Sequence, residues 1–201
     1  MEQIPAALAR LGPEQLTLLF RVNLRRALHI TMAPGEWGGW SALGSGAQLA
    51  DSVAGLGDVA ERVPDPDALA GFIAATNRVF EAHDEAPLDS GFWPFSACRI
   101  AHMCAVALEV VTTRTDSDSD RFLAYASDQI EEFFEFADQV DDKAAESAAG
   151  GEEAETLSHA DRELAFWLNA ARELADGEAG PASLATMGDR LAEQYVATLQ
   201  A

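Results

Sequence analysis

The spacing of the apolar residues constrains this chain most, because they recur every three or four positions along nearly all of its 201 residues. Such spacing places them on one face of an α-helix, whereas a half-buried strand alternates apolar and polar residues. No convincing alternating run bounded by hairpin turns occurs. The sequence therefore predicts an all-α fold, a single-domain bundle of six or seven helices spanning residues 1–201.

Prolines, glycines and capping residues divide this pattern into segments. Asp65 is the expected N-cap of a helix that has Pro66 at its first position. The segment 33–46, rich in breakers, is expected to be a loop that Trp37 and Trp40 anchor to the body. Ser117–Asp120 resembles an N-cap box. The predicted helices run from Pro13 or Glu14 to about Thr31, over 47–62, from Pro66 past Phe80, and over 97–113, 120–145, 157–176 and 182–199.

Two further segments stand out by composition. The segment near 96–113 is apolar almost all round, which predicts a buried central helix. Residues 146–156 are acidic and rich in alanine and glycine, so we expect a mobile linker there.

Acidic side chains dominate most of the chain. The chain has 13 basic and 34 acidic residues, which gives a net charge of −21. Only four of the basic residues and three of the acidic residues lie in the first fifty positions. A field of this sign repels nucleic acid phosphates and anionic lipid, and it attracts cationic partners or metal ions. We therefore expect neither nucleic acid nor membrane partners.

The cysteines and the N-terminus indicate a location. Cys98 and Cys104 lie in one apolar stretch, too few and too close for a secreted disulfide scaffold. The N-terminus has no basic region followed by an apolar one. We find no apolar run approaching the ~20 residues of a membrane span. These observations predict a cytoplasmic protein with reduced thiols.

An acidic helix invites a metal hypothesis. Glu131, Glu132, Glu135 and Asp138 are spaced so that several of their carboxylates share a helix face, and carboxylates with retained waters can hold Mg²⁺ or Mn²⁺. A bundle enzyme acting on a phosphorylated small molecule is one interpretation. No matching second acidic pair and no Glu-x-x-His pair accompanies them. A solvated outer face is the favoured interpretation.

Other side chains suggest chemistry less strongly. Cys98 and His102 are four residues apart, which suits two zinc ligands on one helix, but further ligands would have to come from elsewhere. No motif marks an activated thiol. Arg21, Arg25 and Arg26 are expected to form ion pairs with the acidic helices. Aromatic residues in two loops have two interpretations. They could line a groove, or they could anchor the loops to the core, which is the favoured interpretation. These residues are Trp37, Trp40, Phe92 and Trp93.

The order of these features resembles the YjaG-like bacterial family, domain-of-unknown-function family 416. The resemblance rests on several short motifs: Leu8–Leu11 before a helix ending with Arg25 and Arg26, Gly46–Gln48, Asp67–Leu69 with Phe72, Gly91–Pro94, and the helix 97–108. It covers most of residues 5–175. It implies an all-helical fold and supplies no activity, cofactor or catalytic residue.

We therefore expect an uncharacterised helical protein without catalytic activity that acts through protein–protein contacts and uses no cofactor. The metal-dependent enzyme is the first alternative, and an acidic inhibitor or immunity-type protein is the second. The last two helices carry enough apolar residues to close the bundle and leave a patch, so a homodimer is expected. Those residues are Leu164, Phe166, Trp167, Leu168, Leu174, Leu184, Met187, Leu191, Tyr195 and Leu199.

Overall fold

A computed structural model describes residues 3–35, 37–42, 44, 46–85, 92–113, 119–147 and 157–201. Within these ranges the chain forms nine helices and no strand, which confirms the all-α prediction. The helices are α1 (Gln3–Leu8), α2 (Pro13–Thr31), α3 (Trp37–Ala42), α4 (Gly46–Leu56), α5 (Pro66–Glu85), α6 (Trp93–Thr113), α7 (Ser119–Ser147), α8 (His159–Asp176) and α9 (Pro181–Leu199).

The prediction of six or seven helices was an undercount. Two helices of six residues, α1 and α3, were not foreseen, and α3 lies in the segment predicted as a loop. A six-residue helix contributes too few apolar positions for a stripe to be recognised. Trp40 in α3 is nevertheless fully buried, and its indole N–H donates to the Thr31 carbonyl at 3.2 Å, so it anchors this segment as expected.

Capping residues set several helix ends where the sequence predicted them. Asp65 accepts a hydrogen bond from the Asp67 N–H at 2.9 Å, and Pro66 opens α5. Gly177 ends α8 in the left-handed conformation, with φ 70°. The end of α4 was predicted wrongly: this helix stops at Leu56 rather than 62, because Gly57 adopts φ 65° there.

The most enclosed long helix is α2. It packs against α6, α7, α8 and α9, and between positions 19 and 31 only Arg21, Arg25 and His29 are not buried. These three residues, four apart, form one narrow stripe. The prediction of a buried central helix near 96–113 is not confirmed, because α6 buries one side while Arg99 is exposed and Met103 and Val106 are only partly covered.

The acidic linker prediction falls mostly outside the described residues. Glu146 and Ser147 do not belong to a linker, since both lie in the last turn of α7, and residues 148–156 are not described. Of the predicted N-cap box, Ser117 and Asp118 also lie outside the described residues, and α7 begins at Ser119.

One helical stretch is long and apolar enough to cross a membrane by length and composition alone. It is Trp93–Thr112 in α6, and it corrects the expectation that no run reaches that length. Core helices pass the same test, and this one packs many of its side chains into the core. Its side chains in the hydrophobic core are Trp93, Ala97, Cys98, Ile100, Ala101, Cys104, Ala105, Ala107 and Leu108.

Candidate functional site

Helix α7 separates apolar from acidic side chains. Its inner stripe is buried and consists of Phe122, Ala126, Ile130, Phe133, Ala137 and Val140. The opposite side carries exposed carboxylates at steps of three and four residues, so that they form one row along the helix. We call this row the acidic face of α7; it comprises Asp128, Glu131, Glu135, Asp138 and Asp142.

The four predicted metal ligands are divided between two environments. Glu132 is partly buried and pairs with Arg99 of α6, whose Nη2 lies 2.6 Å from Oε2 of Glu132 and 3.8 Å from Oε2 of Glu135. Glu131 and Asp138 are exposed. Within the described ranges, no three or more His, Cys, Asp or Glu side chains are grouped as metal ligands. The structure therefore brings Glu132 to an arginine rather than to a cation site, and magnesium binding stays a prediction.

Cys98 and His102 do not act as a pair in this geometry. Burial raises the pKa of the Cys98 thiol to about 12, so the thiol stays protonated at neutral pH and is a poor nucleophile or ligand. His102 is partly buried, and its Nδ1 lies 2.7 Å from the Thr76 hydroxyl of α5. His83 of α5, another imidazole, stacks on Phe95 with ring centroids 4.0 Å apart.

A hollow of about 200 Å³ opens between α6 and α7 beside His102. Its lining is almost wholly apolar, and it lies where α6 was predicted to be covered. We call it the His102 hollow; its walls are His102, Met103 and Val106 from α6 and Tyr125 and Asp128 from α7. Asp128 belongs to both the hollow and the acidic face, so the two features adjoin.

The arginines of α2 form the expected internal contacts, with one exception. Arg25 pairs with Asp189 of α9 at 2.9 Å and with Asp58 at 2.8 Å, and the hydrogen bonds that it donates to Asp189 raise the pKa of Arg25. Arg21 forms no ion pair with a carboxylate in the described part of the chain; it donates instead to the backbone carbonyls of Val59 and Ala60 at 2.8 and 2.5 Å. These contacts use the basic side chains to join elements of the fold.

Arg26 forms the most deeply buried ion pair. Its Nη1 donates to Oε1 of Glu163 at 2.9 Å, and both side chains are 0% exposed. Tyr195 donates its hydroxyl to the same Oε1 at 2.6 Å. The guanidinium carbon lies 3.6 Å from the ring centre of Phe133 and 4.3 Å from that of Phe166. Helices α2, α7, α8 and α9 therefore meet around one charged pair.

This buried cluster is not fully hydrogen-bonded within the protein. Among the described residues, Arg26 Nε and Nη2 have no hydrogen-bond partner. The neighbouring pair Asn23–Gln129, joined at 3.2 Å, likewise leaves Asn23 Oδ1 and Gln129 Nε2 without a partner there. Burial raises the pKa of Glu163, although Arg26 and Tyr195 oppose that rise. The aromatic rings stabilise the guanidinium where hydrogen bonds do not. The sequence predicted an ion pair for Arg26 but not the burial of that pair.

Most of the apolar residues that were predicted to close the bundle or form a dimer patch are buried within the chain itself. Leu164, Leu168 and Met187 are only partly buried. The buried ones are Phe166, Trp167, Leu174, Leu184, Leu191, Tyr195 and Leu199. Among the described residues, the exposed large hydrophobic side chains are Val63 and Leu157, which are far apart in sequence. The homodimer stays a prediction.

Comparison with known proteins gives no relative for this arrangement. No protein-family model, curated protein or solved structure matches the chain, so the resemblance to the YjaG-like family stays an expectation.

Proposed function

We propose that this chain is a cytoplasmic, non-catalytic helical protein that binds a partner protein, and that the acidic face of α7 is the binding surface. The partner would present basic side chains to this face. An inhibitor that covers a basic surface is one protein of this class.

The observation that carries the proposal is the row of five exposed carboxylates. The row extends about 21 Å along the helix axis. Within the described part of the chain, Arg99 is the one basic side chain that pairs with it, through Glu135 at 3.8 Å. Carboxylates that lack counter-charges concentrate negative potential, and such a field speeds the association of a cationic partner.

The described titratable groups support binding rather than catalysis. Both cysteine thiols have pKa values raised by burial. His159 is engaged by Asp141 at 2.6 Å and lies 3.2 Å from the Thr198 hydroxyl. The hydroxyl that contacts His102 belongs to Thr76, which is fully buried and also donates to its own helix, so it is not placed to attack a substrate.

Two sets of substitutions test the proposal while changing net charge equally. The α7 set is Glu131→Gln, Glu135→Gln, Asp138→Asn and Asp142→Asn; the control set is Asp51→Asn, Glu81→Gln, Glu178→Gln and Glu193→Gln, all exposed. Each protein is used to recover partners from the source cell over a range of salt concentrations.

We expect one basic protein to be recovered by the wild type and the control set and lost from the α7 set, with wild-type recovery falling as salt rises. Equal recovery by the two sets, or no specific partner at low salt, would reject the acidic face as the binding surface.

A further inference from the structure

The His102 hollow has the shape and lining of a receptor for one side chain rather than for a whole small molecule. Ordinary ligand pockets begin at roughly 300 Å³, and this hollow measures about 200 Å³. Met103 and Val106 supply apolar walls, and Tyr125 supplies an aromatic ring. The carboxylate of Asp128 belongs to the same wall as Tyr125, one helical turn away.

His102 is held in place by α5. Its ring contacts Phe80 edge-on, with centroids 5.2 Å apart, and its Nδ1 faces the Thr76 hydroxyl at 2.7 Å. Thr76 has one hydroxyl hydrogen, which it donates to the carbonyl of Ile73 at 2.9 Å or of Phe72 at 3.1 Å. The contact with Thr76 and the edge-on contact with Phe80 hold the His102 imidazole as a fixed part of the wall of the hollow.

An arginine side chain matches this set of groups. Its three-carbon stem suits the apolar walls, and its flat guanidinium suits the Tyr125 ring. The guanidinium can donate two parallel hydrogen bonds to one carboxylate, and Asp128 at this wall supplies that carboxylate. Asp128 also begins the acidic face, so a basic chain lying along that face passes the hollow.

We propose that the His102 hollow receives an arginine side chain of the basic partner, with its stem against the apolar walls of Met103 and Val106 and its guanidinium on the exposed Asp128. This inference rests on the proposed function and specifies its partner: a protein with an arginine at one end of a basic row. A lysine fits less well, because its ammonium neither stacks on a ring nor pairs with a carboxylate through two parallel bonds.

The test titrates the isolated protein with N-acetylarginine methylamide and, separately, with N-acetyllysine methylamide, followed by amide NMR. We expect saturable shifts of the backbone amides of the five hollow residues with the arginine probe and affinity several-fold weaker for the lysine probe. Asp128→Asn should weaken arginine binding about tenfold. Asp142→Asn, which removes the same charge from the far end of the acidic face, should weaken it less than twofold.

Three results would overturn the inference: no saturable shifts at the hollow, equal affinity for the two probes, or equal losses from Asp128→Asn and Asp142→Asn. The α7 set keeps Asp128, which separates this test from that of the proposed function. Loss of the partner from the α7 set without arginine binding would reject the hollow alone. Arginine binding at the hollow with the partner retained by the α7 set would reject the acidic face alone.

Discussion

Arg26 shows how one residue can set the arrangement of four helices. A guanidinium removed from water needs its counter-charge, and Glu163 provides it at 2.9 Å with both side chains at 0% exposure. The ion pair requires α2 and α8 to lie at matching positions along each other. Since Tyr195 of α9 donates to the same carboxylate, the position of α9 is constrained as well. Buried ion pairs contribute more to the specificity of a packing arrangement than to its stability in some proteins, and we propose that role here.

Removing the buried carboxylate should therefore be costly. We expect Glu163→Gln to lower the free energy of unfolding by about 3–5 kcal/mol, because the Arg26 charge loses its partner in the core. Asp189→Asn, which breaks the partly exposed pair with Arg25, is the matched control and should cost about 1 kcal/mol or less. Urea unfolding of both variants measures the difference. Equal costs would show that burial does not govern the Arg26 pair.

At the scale of helices, Asp141 joins α7 to the first turn of α8. It accepts hydrogen bonds from the His159 N–H at 2.9 Å, the Ala160 N–H at 3.2 Å and the His159 imidazole. Ser158 accepts from the Asp161 N–H at 3.0 Å. The backbone N–H groups of the first turn of α8 are thus satisfied partly by a side chain of another helix. This contact fixes the start of α8 against α7.

The Asp141 cap should be pH-dependent. Partial burial raises the pKa of Asp141, but the hydrogen bonds from His159 and Ala160 outweigh it and hold that pKa below its ordinary value of 3.8. A depressed carboxyl pKa stabilises the fold above the unfolded value and loses this contribution as pH falls through the folded value. Asp141→Asn should therefore cost about 1–2 kcal/mol at pH 7. Its cost should shrink as pH falls below about 4 and Asp141 takes up its proton; a cost that grows as pH falls through this range would contradict the proposed role of Asp141.

The sequence predicted the helices in which the capping residues and the apolar periodicity indicate the same bounds. Examples are α5, which begins after Asp65 with Pro66, and α8, which ends before Gly177. It did not predict how deeply α2 is buried, because Asn23 and Arg26 are polar in sequence yet are buried through partners on other helices. The acidic face followed from spacing alone. The contacts of Glu132 with Arg99 and of His102 with Thr76 join separate helices, and no local pattern in the sequence specifies such contacts.

On the scale of the whole molecule, the charge of −21 makes self-repulsion a general influence on stability. Salt should therefore raise the melting temperature by screening, whichever cation supplies it. We expect MgCl₂ and MnCl₂ to stabilise no more than NaCl at matched ionic strength. Extra stabilisation by either divalent cation, abolished by Glu131→Gln with Glu135→Gln, would instead favour the metal-dependent alternative.

The proposed binding surface is tested most directly by photo-crosslinking in the source cell. A benzoylphenylalanine at position 138 lies on the acidic face, and the same residue at position 81 lies on the exposed side of α5. We expect a crosslinked protein of one mass from position 138 and none from position 81. The product should be lost when Glu131, Glu135 and Asp142 are neutralised. No product from position 138, or the same product from both positions, would contradict it.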